Sequence, residues 1–310
     1  MTAVLERDFR PKGAYRMPGA GRDGVTRRRG QALVRAIHHG DECAVVAAWA
    51  SGGAVRLRAQ GPSPEAAGHA LGRMRFALGL DHDLAPFHAR FKSDRLLGPL
   101  LRRMPWIRPR RIADPFQALA WAITEQLIEV ERAFAIQRRL TFRYGRSSAC
   151  GTLRDSPSAR TLAGRAPAEL QACDLSAGRS LALVLCAREV ATGRVDLESP
   201  DHERGWRRLD RIREIGPWTL QKLALHGQGR DDQLPAGDLA YIKLVGRVAG
   251  LGRRATVEEV EDWFAPYAPY QGLAGTYMLA GARDLTAGKP PATVRGGYPR
   301  TRALTAGARW

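Results

Sequence analysis

The hydrophobic pattern of this chain changes period once. Between Gln31 and Gln60 the apolar residues fall in short runs, QALVRAI, ECAVVAAWA and AVRLRAQ, separated by HHGD and SGG. Runs of this kind with turn residues between them read as antiparallel strands. From Ser63 almost to the end the apolar residues recur at helical spacing instead, with loops marked by Pro and Gly. Strands first and helices afterwards predict an α+β fold: an N-terminal antiparallel β-sheet domain followed by a mostly α-helical region. No repeat of solenoid period is present. GPSPEA, Gly61 to Ala66, is the natural boundary. The expected organisation is a basic arm over 1–30, part of the sheet domain over 31–65, the helical region over 66–288 and a basic Pro/Gly-rich tail over 289–310.

Several helices announce their own starts. Asp114-Pro115 is a cap followed by Pro in the first turn, ahead of Phe116, Leu119, Ala120, Ile123 and Leu127 on one face. TVEE at Thr256 is a capping box ahead of Val260 and Trp263. A third helix follows Pro269.

In LDRIREIGPWTLQKLAL, Trp206, Leu209 and Ile212 keep helical spacing, Glu214-Ile215-Gly216 breaks it, and Pro217 opens a new helix. Two helices joined by so short a turn meet steeply, and the second presents free backbone N–H groups at its start. That is an anion site for one phosphate; a purely structural helical hairpin would read the same way. Further on, LPAG delivers Asp238 to the start of a helix holding Leu239, Ile242 and Val245. A carboxylate there can be a cap or a catalytic anion.

The overall charge bears on the choice. Lys and Arg total 49 against 31 acidic residues, a formal charge of +18. An excess of that size favours a polyanionic partner, nucleic acid first, although an Arg-rich chain also accompanies a biased genome. The longest apolar runs, AVVAAWA and LALVLCA, fall far short of the roughly 20 residues of a membrane span. No signal-like apolar segment opens the chain, so a cytoplasmic, nucleoid-associated protein is expected. Cys43, Cys150, Cys173 and Cys186 form no C-x-x-C pair, so neither a zinc site nor an iron-sulfur cluster is expected.

The hairpin, the loop and Asp238 in this order resemble the helix-hairpin-helix DNA glycosylase superfamily, and within it the AlkA-type DNA-3-methyladenine glycosylases (type II). The resemblance covers roughly residues 70–285. LPAGDLAYIKLVGR resembles the catalytic segment and implies Asp238 as the catalytic carboxylate. DPFQALAWAITEQLIEVERA resembles the segment whose turn is pushed into the base stack, which implies Leu127, with Gln126, as the wedge. APYAPYQGLAGTYML resembles the segment that supplies a pocket aromatic, Tyr270, to stand with Trp218. Ile215, Gly216 and Trp218 of the hairpin, with Lys243, would contact phosphate. Trp121 and Tyr277 read as core.

Three residues depart from the family pattern. Glu214 stands where the hairpin has its first Gly, which argues against the monovalent cation that the resemblance otherwise implies there. Glu125 replaces a Gly beside the wedge, and Lys222 replaces a pocket aromatic. Bifunctional members carry a Lys nucleophile at the place of Trp218 or further along that helix; the Trp here, with no Lys between Lys222 and Asp238, implies hydrolysis without strand cleavage, and Lys222 is the one residue that keeps a lyase open. The expectation is a monomeric, cofactor-independent glycosylase releasing alkylated purines from double-stranded DNA. The competing expectations are a non-catalytic damaged-DNA-binding protein and a glycosylase for deaminated or oxidised purines.

Overall fold

The computed structural model describes residues 2–287; the tail expected over 289–310 lies outside them. Strands β1 (Ala3–Phe9), β2 (Arg27–Arg29), β3 (Ala32–His39), β4 (Glu42–Ser51) and β5 (Ala54–Gly61) form one antiparallel sheet in the order β1-β5-β4-β3-β2. The β4–β5 hairpin turns through Gly52 and Gly53, both at positive φ, which suits a two-residue loop joining twisted strands. Alternation along β4 buries Ala44, Val46 and Ala48. With Leu33, Leu57 and Ala59 they meet Ala66, Ala67, Ala70 and Met74 of helix α1 (Pro64–Ala77). The small side chains let α1 lie close to the sheet, so the first helix belongs to the sheet domain and not to the helical region that follows.

The segment 1–30 is not a free arm. β1 pairs with β5 from Ala3 to Phe9, and β2, inside TRRRG, pairs with β3. β1 is an edge strand: Leu5 and Phe9 pack on the sheet core, while Asp8 on its open face receives two hydrogen bonds from Arg56 (2.6 and 2.8 Å). Charged residues on that face hide the alternation that would reveal a strand.

The remaining helices are α2 (Ala85–Phe91), α3 (Leu97–Arg103), α4 (Pro115–Glu125), α5 (Val130–Tyr144), α6 (Ala159–Ala163), α7 (Pro167–Gln171), α8 (Ala177–Ala191), α9 (His202–Leu209), α10 (Pro217–Gly227), α11 (Leu239–Val248), α12 (Val257–Phe264), α13 (Gln271–Ala280) and α14 (Ala282–Ala287). None among the described residues is long and apolar enough to cross a membrane. They enclose two cores. Leu119, Ile123, Ile136, Leu140, Leu183, Leu209 and Leu223 fill the first. Phe87, Leu97, Tyr241, Leu244, Val260, Phe264 and Tyr277 fill the second.

Helix α10 belongs to the first core and α11 to the second, so the loop after α10 carries the chain across the seam to Asp238. Gly227 sets how closely α10 crosses α4: a Cβ there would lie 2.6 Å from the Cβ of Ala118. This contact joins the start of α4 to the end of α10; at their other ends Gln126 bonds to Glu214 and Thr219 of the hairpin.

Candidate active site and DNA interface

The hairpin is built around Gly216, the N-cap of α10, whose carbonyl accepts from Thr219 N–H (3.0 Å) and Leu220 N–H (3.2 Å). Pro217 has no N–H to leave unsatisfied. The N–H groups of Gly216 and Trp218 make no hydrogen bond within the described residues, which leaves them open to an anion at the helix start. Ile215, expected among the phosphate contacts, is different. Its N–H donates to the Ile212 carbonyl (3.0 Å) and its side chain is buried in the first core, so it anchors the turn.

Glu214 takes a left-handed backbone, φ 73°. That is the conformation in which Gly costs least and an L side chain is strained. Its neighbours oppose that strain. The Glu214 carbonyl accepts from Gln126 Nε2 (2.7 Å), and its side chain lies against Gly178, where a Cβ would come within 2.9 Å of Oε1.

The turn expected to carry the wedge begins where α4 stops. Leu127 was expected on the apolar face of that helix, but α4 ends at Glu125 and Leu127 stands beyond it at φ 51°, 103% exposed. An aliphatic side chain held fully in solvent on a strained backbone has no packing role. Gln126 supports it from below, donating from Nε2 to Thr219 Oγ1 (2.9 Å) as well as to Glu214. Arg179 Nη1 donates to the Gln126 carbonyl (3.0 Å). Neither Arg179 nor Thr219 gives any sign of this role in the sequence.

Asp238 caps α11, its Oδ1 accepting from Ala240 N–H (3.0 Å). Leu234, Pro235 and Ala236 are buried beneath it, and Asp238 N–H donates to the Pro235 carbonyl (2.8 Å), so the turn is rigid on the protein side. Burial, and after it the Asp238 carboxylate, push the Tyr241 phenol well above its usual range. A Cβ on Gly237 would lie 3.7 Å from the Trp218 ring, which places the backbone just before Asp238 against Trp218. Lys243 and Arg247 are exposed on α11 beyond Asp238.

Two departures from the family pattern prove to be one feature. Lys222 Nζ lies 2.9 Å from Glu125 Oε2 and 5.4 Å from the centroid of the Trp218 ring. Trp218 and Lys222 are four residues apart on α10, so they share a face, and a helical side chain leans back toward the N-terminus. Glu125 also accepts from Gln137 Nε2 (3.2 Å). Burial is the largest single influence and raises the Glu125 carboxyl, but Lys222, His226 and Gln137 together hold the group below the ordinary carboxylate range. Burial and Lys222 depress His226, one turn further along, to about 4.

Tyr270 sits at the N-cap of α13, half-buried. Its ring contacts are with α2: Phe87 at 5.5 Å and Phe91 edge-on at 6.3 Å. The structure thus joins Trp218, Lys222, Glu125 and the Asp238 segment, while the ring contacts of Tyr270, expected to stand with Trp218, are with an aromatic cluster of the second core. Trp121 and Tyr277 are core, 2% and 0% exposed. A cleft of about 310 Å³ beside the hairpin is lined by Trp206, Pro217 and Gln233, and does not include Asp238. Among the described residues no group of His, Cys, Asp and Glu is arranged to hold a metal ion.

A sheet domain, a helical hairpin with open N–H groups, an exposed Leu127 and a capping Asp across a two-core seam make up a fold like that of the helix-hairpin-helix DNA glycosylases, which the chain also resembles in sequence. Its relatives include a DNA-3-methyladenine glycosylase of Bacillus subtilis, 25% identical over 204 residues, 64% of this chain and 67% of the relative. The 3-methyladenine DNA-glycosylase of Archaeoglobus fulgidus has a similar structure, with TM-score 0.72 and 18% identity over 84% of this chain and 89% of its own. An 8-oxoguanine glycosylase/lyase of Clostridium acetobutylicum bound to double-stranded DNA is also similar, with TM-score 0.65 and 15% identity over 85% and 89%. No family model matches the chain.

Proposed function

We propose that the protein is a DNA N-glycosylase of base excision repair that extrudes a damaged purine from double-stranded DNA and hydrolyses its glycosidic bond, leaving an abasic site in an uncut strand. The observation that carries this reading is Asp238. One oxygen is fixed by the α11 cap, and the half-buried residue follows Gly237, whose Cβ position lies 3.7 Å from the Trp218 ring, at the seam of the two cores.

A glycosidic bond inside stacked duplex is out of reach, so the nucleotide must first leave the helix. Leu127 fills the space it vacates, as apolar wedges do in other DNA-kinking proteins. The open N–H groups of Gly216 and Trp218, with Lys243, hold the flanking phosphates. As the bond to the base lengthens, positive charge grows on the sugar, and Asp238 stabilises it and orients the attacking water. A preorganised contact of this type lowers a barrier by roughly 3 to 4 kcal/mol.

Hydrolysis without strand cleavage follows from Trp218 and from the state of Lys222. A lyase needs an amine free to attack the sugar, and the Lys222 ammonium is committed to Glu125. The reaction needs no cofactor, and the protein acts as a monomer. Alkylated purines, the class in its relatives' names, are the first substrates of this reading. A second reading, deaminated or oxidised purines, is favoured by the ammonium already lying against the Trp218 ring.

The deciding experiment measures bases released from methylated duplex DNA by wild type and Asp238→Asn. Release by the wild type alone, with DNA binding retained in the variant, is the expected result. Binding without release by either protein would instead establish a non-catalytic damage-binding protein.

A further inference from the structure

We propose that Lys222, held in place by Glu125, is the specificity-determining residue of the base site and directs it toward purines that carry no formal charge. The inference rests on the glycosylase reading above and, of its two substrate classes, selects the second, the uncharged purines, over the alkylated ones.

An aromatic ring offers an incoming cation the attraction of its π face. In this chain a cation is already there: the Lys222 ammonium lies 5.4 Å from the Trp218 centroid. It is not a loose surface charge, because its side chain is 16% exposed and bridged to Glu125 at 2.9 Å. Glu125 is fixed in turn by Gln137 and stands at the end of α4, directly before the wedge turn. The ion pair is neutral as a whole, but its positive end is the one beside Trp218. A purine methylated at N3 or N7 brings its own positive charge and meets that end unfavourably.

A neutral damaged purine gains what a cationic one loses. When its bond to C1′ breaks, the electron pair leaves with the base, and the departing base becomes anionic unless a donor meets it. Lys222 can hydrogen-bond a ring nitrogen or an exocyclic carbonyl and draw that charge. The water oxygen then bonds to C1′ and its proton passes to Asp238. A cationic base needs no such donor, since it leaves as a neutral molecule. The Glu125–Lys222 pair therefore compensates for the leaving-group activation that alkylation would otherwise provide, and the natural substrate class is the uncharged 6-oxopurine type.

The test compares release of hypoxanthine from a duplex oligonucleotide with release of 7-methylguanine from methylated duplex, for the full-length wild type, Lys222→Arg, and the double variant Glu125→Gln/Lys222→Met. The double variant removes both charges together, so no buried charge is left unpaired. The wild type and Lys222→Arg are expected to favour hypoxanthine, and the double variant to shift the ratio toward 7-methylguanine by about ten-fold or more, the effect of one partly screened charge contact. A ratio that does not move toward 7-methylguanine, while both bases are released, overturns the role of Lys222 and leaves the glycosylase reading standing. Failure of the wild type to release either base removes both. Borohydride trapping of the wild type on an abasic site through Lys222 overturns the proposal as well, because the amine would then be a nucleophile.

Discussion

Gln126 Nε2 donates to the carbonyl of Glu214 at 2.7 Å, tying the turn that carries Leu127, the proposed wedge, to the α9–α10 hairpin. The same amide donates to Thr219 Oγ1 at 2.9 Å, so one side chain fastens the end of α4 to both the turn and the first turn of α10. Gln126→Ala removes two hydrogen bonds and leaves the Glu214 carbonyl without this partner at a strained φ. Urea unfolding should show a loss of about 1 to 3 kcal/mol. Glycosylase activity on duplex DNA should fall further than that loss explains, because wedge and hairpin no longer move as one body. Activity that tracks stability alone would show that the link is only structural.

Leu127 offers the reverse separation of effects. It is fully exposed, so Leu127→Ala should leave stability within about 0.5 kcal/mol of wild type. Activity on duplex should drop by an order of magnitude or more, while activity on single-stranded DNA, which has no stack to fill, should persist. Leu127→Gly should go further and stabilise the fold by up to about 1 kcal/mol by relieving the positive φ, yet be as inactive on duplex as the Ala variant. Equal losses on the two substrates would exclude a wedge.

The contrast between Leu127 and Asp238 shows what the sequence made legible. Asp238 was readable because a cap is local: a carboxylate, a preceding Pro-Ala-Gly break and an apolar helix suffice. The fold class was readable for a similar reason, since a single switch of period separates sheet from helices. Leu127 continues the apolar spacing of α4 in the sequence, and nothing local says that the helix stops two residues earlier. β1 was hidden by the charges of an edge strand that are answered from β5 by Arg56. The Glu125–Lys222 pair joins residues 97 positions apart, so each looked like an isolated departure until the α4–α10 crossing put them together. The helix expected to run through Tyr270 begins one residue later, with Tyr270 as its N-cap, and the partners Phe87 and Phe91 come from α2, which no pattern around Tyr270 reveals.

Acidification should loosen the α4–α10 contact. His226 donates from Nδ1 to the Arg110 carbonyl (2.7 Å), and burial with Lys222 lowers its folded pKa to about 4, against 6.5 unperturbed. A lowered folded pKa means that the unfolded chain binds the proton more readily. The contribution is fully present above pH 6.5 and is lost as the pH falls from there toward 4. Glu125, also lowered, acts in the same direction at more acid pH. Urea midpoints measured from pH 7.5 to 4.5 should fall, and His226→Gln should flatten the upper part of that dependence. An unchanged slope in the variant would assign the acid sensitivity elsewhere.

Asp238 caps α11 and is proposed as the catalytic anion, and two substitutions separate the roles. Asn caps a helix about as well as Asp, so Asp238→Asn should keep the bond from Ala240 N–H and shift the thermal midpoint little. It removes the charge that stabilises the developing oxocarbenium ion, so base release should fall about 10²- to 10³-fold or more, with DNA affinity retained or increased. Asp238→Ala removes both functions, and should be as inactive as Asn while unfolding about 1 kcal/mol earlier in urea. If Asn retained activity within a few-fold of wild type, Asp238 would be a cap alone, and the reaction would need another carboxylate at the seam. If Ala and Asn were equally stable, the cap bond to Ala240 would add nothing to the fold, and the geometry that holds the carboxylate would have to come from the buried Leu234-Pro235-Ala236 turn instead.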